Sequence, residues 1–378
     1  MKIGVFAGDL FWSSCPYESL NVYEDVSEKY ITDYIMFEND IRLNKEFSNN
    51  DKFFFDSEKF KKCKNIRIIK TWSDLYKISG EYSTILSRCK IAPKTRFPED
   101  IKKRSKCPLT VWDVGGLDIL TWESRHATNF LTKGKTWLKY LKKVNNSCDM
   151  KSAISLCPQY DPYYRKDLKH GAPISRELFF KKYNLDINKN LLLITPSNPG
   201  SHKDQFNQNL KDLEEITKTA IDNNFHVLVK TYPHDYVFRE SQQQYSGIYK
   251  RIYTSIPQYE FIKQRIPEVS IVESQDHYSA MLYSNKIFNM SGSSIAWETY
   301  FTSGVSYSIN FSDKPYYKTV SYLPNDVIFP DDIFNINISS HFEIFQNSAV
   351  VDKEACSDFF TMKESSNIRE SLKEILGY

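Results

Sequence analysis

The stretch "KIFNMSGSSIAWETYFTSGVSYSINF", residues 286–311, predicts two strands joined by a loop and a short helix. Its first strand, at 287–290, is hydrophobic and stops at four small residues, which are Ser291, Gly292, Ser293 and Ser294. An apolar helical start follows, with Glu298 four residues after the last serine, and a second strand follows at 306–310. Strands that alternate with helices through short connections are typical of a parallel sheet covered by helices on both faces.

The same alternation extends through the rest of the chain. In the second half, further hydrophobic strands are predicted at 191–197, 226–233 and 269–274. In the first half, strands are predicted at 3–7, 65–72, 109–112 and 129–132. The segment "EYSTILSRC", residues 81–89, predicts a helix, whereas residues 20–60 show only weak periodicity. The tail "SSNIRESLKEILGY" predicts a short amphipathic helix.

Length and the break in this alternation predict two domains. The chain has 378 residues, and one domain usually takes about 100–200. A Pro- and Tyr-rich loop and a helix capped by Ser175 separate the two halves. We therefore predict an α/β protein with an N-terminal domain at 1–157, a linker at 158–190, a C-terminal domain at 191–360 and a C-terminal helix within 361–378.

Composition excludes several classes of protein. The net charge is +3 with both signs mixed, which argues against a nucleic-acid binder, since such proteins concentrate basic residues. The seven cysteines form no C-x-x-C pair and the N-terminal apolar run is short, so we expect a cytoplasmic protein with reduced thiols. No transmembrane segment is expected, because none of the apolar runs approaches roughly 20 residues. A peripheral association with the inner face of the membrane stays open.

The small loop at 291–294 is suited to an anion. Unpaired backbone N–H groups at the start of a helix, together with serine hydroxyls, form a site that suits a phosphate. A carboxylate beside a phosphate would repel it, so we expect Glu298 to accept hydrogen bonds from the hydroxyls of a ribose or sugar. The alternative is that Ser294 only caps a helix and that Glu298 is a solvated acid in its first turn.

Other polar residues of the second half also follow predicted strands, and ligands of open α/β sheets bind at that edge. In "VKTYPHDY", Pro233 stiffens the strand exit and His234 can donate to a phosphate, while Lys230 adds a positive charge. The remaining candidates at this edge are Ser197, Asp276 and His277. The alternatives are a surface histidine at 234 and a plain helix cap at 276–277.

In the first half, "TVWDVGGLD" places Asp113 at a strand end before two glycines. Glycines let the backbone turn tightly and leave space for a ligand, so Asp113 is a candidate general base. Asp9, which ends the first strand, is the second candidate, and an ordinary turn aspartate is the alternative to both. No phosphate-binding G-x-x-x-x-G-K-[ST] loop, G-x-G-x-x-G fingerprint, G-x-S-x-G elbow or metal-ligand spacing occurs, so no metal or cofactor is expected.

Four stretches carry a resemblance to a known group of enzymes. They are "CPQYDPYYRKD…ISRELFFKKYNLDINKNLLLITPS", "KTYPHD", "ESQDHYSAMLYSNKIFNMSGSSIAWE" and "VWDVGG". Over residues 105–312 the sequence resembles the GT-B glycosyltransferases that build bacterial surface polymers. It is most similar to the CDP-glycerol glycerophosphotransferases and the bacterial sialyl- and polysialyltransferases. Two departures are the order Pro233-His234, which is inverted, and Asp113, which stands where the glycerophosphotransferases carry a histidine.

The resemblance implies a GT-B fold, with two Rossmann-like domains and a cleft between them. It implies that His234, Ser293 and Ser294 contact the phosphate of a nucleotide-sugar donor, and that the C-terminal helix packs on the N-terminal domain. The expected activity is metal-independent, inverting transfer of a sugar to a glycan or lipid-linked glycan acceptor, as in capsule or lipopolysaccharide synthesis. A glycerol- or ribitol-phosphate transferase, a non-hydrolysing sugar-nucleotide epimerase and a non-catalytic binding domain are the alternatives.

Overall fold

The computed structural model describes most of the chain, in segments that include every regular element named below. The described residues are 1–7, 18–38, 63–88, 97–113, 126–144, 150–163, 165, 172–196, 206–231, 256–273, 276–290, 295–309, 335–348, 350, 352–354, 357–361 and 367–377. They form two units, each with its own parallel sheet. The first unit takes the described residues up to 165 and from 357 onward, and the second takes those from 172 to 354.

The first unit is built on a seven-stranded sheet. Its elements in chain order are β1 (Lys2–Phe6), α1 (Glu18–Ser27), β2 (Ile31–Phe37), β3 (Ile66–Ile69), α2 (Trp72–Ser79), β4 (Thr84–Arg88), α3 (Ile101–Arg104), β5 (Leu109–Trp112), β6 (Asn129–Thr132), α4 (Lys135–Val144) and β7 (Lys151–Ile154). All neighbouring strands are parallel, in the order β3-β2-β1-β4-β5-β6-β7. The direction of strand addition therefore reverses between β1 and β4, as in dinucleotide-binding folds.

The second unit repeats this plan with six strands. Its elements are α5 (Arg176–Lys182), β8 (Asn190–Thr195), α6 (Phe206–Asp222), β9 (Phe225–Lys230), α7 (Ile256–Arg265), β10 (Ser270–Val272), α8 (His277–Tyr283), β11 (Lys286–Asn289), α9 (Ile295–Glu298), β12 (Val305–Ile309), β13 (Asn335–Ile338) and α10 (Glu343–Gln346). The order is β10-β9-β8-β11-β12-β13, again fully parallel, with the reversal between β8 and β11. The two sheets confirm the predicted fold class of two α/β units.

The central strands are continuous apolar runs, because helices cover both faces of a parallel sheet and both faces of each strand are therefore buried. Residues 191–194 of β8 have no exposed surface. On one side of the sheet, α6 and α7 pack together with Leu213, Ile216 and Ile262 in a single buried cluster. Helix α8 packs on β8 and on α5, whose start is capped by Ser175 as the sequence predicts.

Two sequence predictions for the first half are corrected by the structure. The segment 81–89 is not a helix: residues 84–88 form β4, which pairs on both edges with β1 and β5. Residues 84–87 of this strand are buried, and pairing on both of its edges outweighs a local helical pattern. Strand β2 was not predicted from the sequence, because Asp33 interrupts its pattern of apolar residues.

A final helix, α11 (Ile368–Leu376), belongs to the first unit and contacts β7, β6 and α1. Ser371 Oγ donates to the carbonyl of Ile154 at 3.0 Å. The preceding residues pass so close to Gly134 that a Cβ there would lie 2.3 Å from the carbonyl oxygen of Phe359. Glycine is therefore required where the chain returns to the first unit.

The amino-terminal edge of the first sheet carries an ion-pair network around Asp33. This carboxylate accepts from Tyr82 Oη at 2.8 Å and Arg67 Nε at 3.1 Å, and it lies 2.9 Å from Lys2 Nζ. Burial alone would raise the pKa of Asp33, but the hydrogen bonds from Lys2, Tyr82 and Arg67 hold its pKa below the ordinary value. The charged Asp33 therefore stabilises the folded protein fully at pH values above the pKa that Asp33 has in the unfolded chain. This stabilisation is lost as the pH falls through the lower pKa that Asp33 has in the folded protein.

Substitution of Asp33 by Asn should lower the unfolding free energy by about 1–3 kcal/mol at neutral pH, because three donors lose a charged acceptor. The difference from the wild type should shrink below about pH 4, where the unfolded carboxyl becomes protonated. Urea unfolding at several pH values measures this. Glu81 contacts Lys2 and Arg67 as well, but 43% of its side chain is exposed against 6% for Asp33. Glu81→Gln is the matched control, and an equal or larger loss there would contradict the assignment.

Candidate functional site

The point of reversal in the second sheet lies between the carboxyl ends of β8 and β11. Thr195 ends β8 and Asn289 ends β11, and both side chains are buried. Thr195 Oγ1 donates to Asn289 Oδ1 at 3.2 Å, which joins the two strand ends. In open α/β sheets the loops at such a reversal diverge and leave a crevice for ligands. This edge is therefore the candidate ligand-binding site of the second unit.

Two of the sequence-predicted residues meet at this edge. Helix α8 begins with His277 after β10, and α9 ends with Glu298 after β11. Nε2 of His277 lies 2.6 Å from Oε2 of Glu298. The side chains are 17% and 6% exposed, so the pair borders solvent while being largely removed from it. The structure thus brings together two candidates that stand 21 residues apart in the sequence.

The hydrogen-bonding partners define the state of the His277 ring. Because a carboxylate oxygen can only accept, Nε2 carries the proton and donates to Glu298. The other ring nitrogen, Nδ1, is buried and has no hydrogen-bond partner among the described residues. The contact is therefore a hydrogen bond that the Nε2–H of His277 donates to the carboxylate of Glu298.

Asp276, the candidate next to His277 in the sequence, forms hydrogen bonds with other residues of the second unit. Its Oδ2 accepts from Lys182 Nζ and from Tyr183 Oη, each at 2.5 Å. Burial and the bond to this carboxylate raise the pKa of Tyr183 far above its ordinary value. Burial alone would lower the pKa of Lys182, but its bonds to Asp276 and Glu273 raise it. These contacts tie the end of α5 to the start of α8, and a role of Asp276 in donor binding stays a prediction.

Lys230 ends β9 and is half-buried at the same edge. Its role in donor binding stays a prediction as well. The other predicted site residues lie outside the described part of the chain, and they are Asp9, Ser197, His234, Ser291, Gly292, Ser293 and Ser294.

In the first unit, Asp113 directly follows β5 and forms a buried ion pair. Its Oδ1 lies 3.0 Å from Nζ of Lys133, which follows β6, and both side chains are 1% exposed. The ammonium of Lys133 also lies 4.2 Å from the ring centroid of Trp137. The sequence pattern did not indicate that Lys133 is the partner of Asp113. The role of Asp113 as a general base stays a prediction, and in this conformation the carboxylate is bonded to Lys133.

A second buried charge pair lies at the carboxyl edge of the same sheet, and sequence reasoning missed it. Glu18 begins α1, and its Oε2 lies 3.1 Å from Nε of Arg88 at the end of β4. Its Oε1 accepts from Trp112 Nε1 at 2.5 Å. The sequence indicated these residues only through their positions. Glu18, Arg88 and Trp112 each stand at the end of a helix or strand, and a parallel sheet brings such ends to one edge. Charged groups therefore line the strand ends of β4, β5 and β6.

Cys157 lies beside this layer and is buried. Its Sγ donates to the carbonyl oxygen of Asp113 at 3.3 Å. Burial raises the pKa of the thiol well above its ordinary value. A thiol in this state is a poor nucleophile, so Cys157 is a packing residue.

Two kinds of feature are absent from the described residues. Within them, His, Cys, Asp and Glu side chains form no group of three or more that could hold a metal ion. The same residues include no helix with the length and apolar character needed to cross a bilayer.

Comparison with known proteins shows similarity of structure but not of sequence. No family model matches the chain, and no curated protein matches it. The UDP-GlcNAc 2-epimerase of Methanocaldococcus jannaschii is similar in structure, with a TM-score of 0.55 and 10% identity over 100% of this chain and 99% of that one. The wall teichoic acid polymerase TagF has a TM-score of 0.55 and 13% identity over 100% and 87% of the two chains.

A third similar structure is the UDP-GlcNAc 2-epimerase of Neisseria meningitidis bound to UDP-GlcNAc. It has a TM-score of 0.53 and 10% identity over 100% of this chain and 99% of that one. The chain has a GT-B-like fold. At these identities the likeness extends to the fold alone, so the reaction has to be inferred from the site.

Substitution of Lys133 by Met should destabilise the protein by about 3–5 kcal/mol, because it leaves the buried Asp113 carboxylate without its ammonium partner. Adding Asp113→Asn to this variant should recover part of the loss, since the uncompensated charge is then removed. Urea unfolding of the two single variants and the double variant measures the coupling.

Lys135→Met is the matched control for this cycle. Lys135 lies two residues away and is 75% exposed, and it pairs with Asp358 at the surface. Its loss should change stability by less than about 1 kcal/mol. If both lysine variants unfold at the same urea concentration, the Asp113–Lys133 pair does not stabilise the first unit.

Proposed function

We propose that this protein is a glycosyltransferase that moves a sugar from a nucleotide-activated donor to a glycan acceptor in surface polysaccharide synthesis. The observation that carries the proposal is the His277–Glu298 pair at the carboxyl edge of the second sheet, where Glu298 follows β11, one of the two strands at the reversal. A charged, oriented carboxylate at this edge suits the hydroxyls of a ribose or sugar. The donor is a substrate, and the proposal includes neither a cofactor nor a metal ion.

In this proposal the second unit binds the donor and the first unit binds the acceptor. Asp113, or failing that Asp9, removes the proton of an acceptor hydroxyl. That oxygen then forms a bond to the anomeric carbon of the donor sugar while the bond from that carbon to the nucleotide phosphate breaks. The electron pair leaves on the phosphate oxygen, and the result is inversion at the anomeric carbon.

Charge that develops on the leaving phosphate needs stabilisation. Backbone N–H groups and hydroxyls of Ser291–Ser294, with His234, are assigned to this task because preorganised donors act strongly where water is excluded. Lys230 adds a positive charge at the same edge. These assignments come from the sequence pattern and are part of the proposal.

The acceptor in this proposal is a glycan or a lipid-linked glycan. A lipid-linked acceptor would bring the enzyme to the cytoplasmic face of the membrane as a peripheral protein. Co-sedimentation with vesicles that contain anionic lipid, at low and at high salt, tests this part separately.

The decisive experiment incubates the protein with a panel of nucleotide sugars that contain UDP, CDP, GDP or CMP. Release of nucleotide only when a glycan acceptor is present is the expected result. An altered sugar nucleotide formed without acceptor would indicate an epimerase, which two of the similar structures are. Turnover of CDP-glycerol or CDP-ribitol would indicate a polyol-phosphate transferase. Binding without turnover of any of them would overturn the proposed activity and leave a binding domain.

His234→Ala should lower kcat/KM for the donor at least about tenfold, which corresponds to about 1.4 kcal/mol of transition-state stabilisation. The reason is the loss of one donor to the leaving phosphate, while the thermal unfolding midpoint stays unchanged. His226→Ala is the matched control, because His226 lies in strand β9, before the segment that contains His234, and accepts a hydrogen bond from the backbone of Asp186. Equal kinetics of His234→Ala and the wild type would remove His234 from the site.

A further inference from the structure

The turn that carries Lys133 is held by residues 358–361, which are called the returning segment below. The backbone N–H of Thr361 donates to the carbonyl of Lys133 at 2.7 Å, and the backbone N–H of Thr136 donates to the carbonyl of Asp358 at 3.0 Å. Thr136 is the second residue of α4, where backbone N–H groups have no partner within the helix. The returning segment therefore caps α4 and fixes the backbone of Lys133 at the same time.

The returning segment also packs against the aromatic ring that contacts the ammonium of Lys133. The rings of Phe359 and Trp137 are both buried and meet edge to face, with their centroids 6.0 Å apart. The centroid of Trp137 in turn lies 4.2 Å from Nζ of Lys133. At Gly134, a Cβ would come within 2.3 Å of the carbonyl oxygen of Phe359, so the two backbones are in close contact. The backbone and the side chain of Lys133 are thus both restricted by the returning segment.

We propose that Lys133 is a positioning residue for the candidate base Asp113, and that the returning segment holds Lys133 in the place that this role requires. The inference rests on the proposed function, because it takes Asp113 to be the general base. Nζ of Lys133 lies 3.0 Å from Oδ1 of Asp113, and both side chains are 1% exposed. Lys133 acts through Asp113 and is assigned no contact with the acceptor.

The orientation of the Asp113 side chain matters to proton transfer. A general base has to lie within hydrogen-bond reach of the hydroxyl, and a misplacement of about 1 Å can lower a rate about 10²-fold. The backbone N–H of Asp113 donates to the carbonyl of Leu131 at 2.8 Å, and its carbonyl accepts from Cys157 Sγ. These bonds fix the main chain of Asp113, whereas the charge-assisted bond from Lys133 acts on its side chain.

A purely structural role of the returning segment predicts a different result. If the segment only stabilised the first unit, loosening it would lower turnover by the same factor whether or not residue 113 is a carboxylate. If the segment acts through Asp113, its effect on kcat should disappear once Asp113 has been replaced by Asn.

Two substitutions loosen the returning segment in different ways. Gly134→Ala places a Cβ against the backbone of the segment, which then has to move. Phe359→Leu keeps the backbone bonds and removes the ring that packs on Trp137, so it serves where Gly134→Ala lowers the yield of folded protein. Gly80→Ala is the matched control, because its Cβ would meet only the flexible side chain of Lys106.

Amine-specific acetylation followed by mass spectrometry measures how firmly Lys133 is held, and this measurement does not depend on activity. Lys133 should be acetylated at least about tenfold faster in Gly134→Ala and Phe359→Leu than in the wild type, because local opening controls access to a buried group. Gly80→Ala should react as the wild type does. Lys135, which is 75% exposed, is the internal reference and should react at the same rate in all of these proteins.

In the transferase assay, Gly134→Ala and Phe359→Leu should lower kcat about tenfold or more with an unchanged KM for the donor, and neither should lower kcat further in the Asp113→Asn background. The inference is overturned if Lys133 stays protected in both variants, or if the loss of kcat is the same in the Asp113→Asn background. The proposed function stands in both of those cases, because transfer by the wild type is unaffected. If the wild type transfers no sugar, the proposed function fails, and the role of Lys133 in positioning a base fails with it.

Discussion

Strand β8 can lie fully buried only because both of its edges are hydrogen-bonded to parallel neighbours. Residues 191–194 have no contact with water, and β9 and β11 pair with them on either side. Parallel neighbours require crossover connections that return to the opposite end of the sheet. Every strand of the unit therefore ends at one edge, and the helices that follow begin there. The meeting of His277 with Glu298 is a direct result of this arrangement.

The two units use charge differently at their carboxyl edges. In the second unit, the hydrogen-bonded pair of His277 and Glu298 borders solvent. In the first unit, Asp113 is paired with Lys133 and Glu18 with Arg88, so that each negative charge has a positive neighbour. Burying such pairs contributes little net stability, since desolvation offsets attraction. Their value lies in fixing the strand ends of β4, β5 and β6 relative to one another.

Much of the fold could be predicted from the sequence, because apolar runs that end at polar residues are a local signal. The limits of β8 and β11 were anticipated to within about two residues, the usual uncertainty of an element boundary. Strand β2 was missed because Asp33 breaks its pattern, and β4 was mistaken for a helix because its pairing with β1 and β5 is not visible locally. His277 and Glu298 were chosen as candidates because both follow predicted strands. The contact between them could not be predicted, because it depends on how two crossover connections are placed in space. The contact between Lys133 and Asp113 could not be predicted for the same reason.

The return of residues 357–361 and α11 to the first unit affects the order in which the chain can fold during synthesis. Thr361 N donates to the carbonyl of Lys133 at 2.7 Å, and α11 buries Ile368, Leu372 and Ile375 against β6, β7 and α1. The whole second unit is translated between these two parts of the first. A nascent chain therefore holds the apolar surface of β7 uncovered while the second sheet forms. Of the two units, the one whose translation begins first is completed last, and until then the apolar surface that α11 covers stays exposed and prone to aggregation.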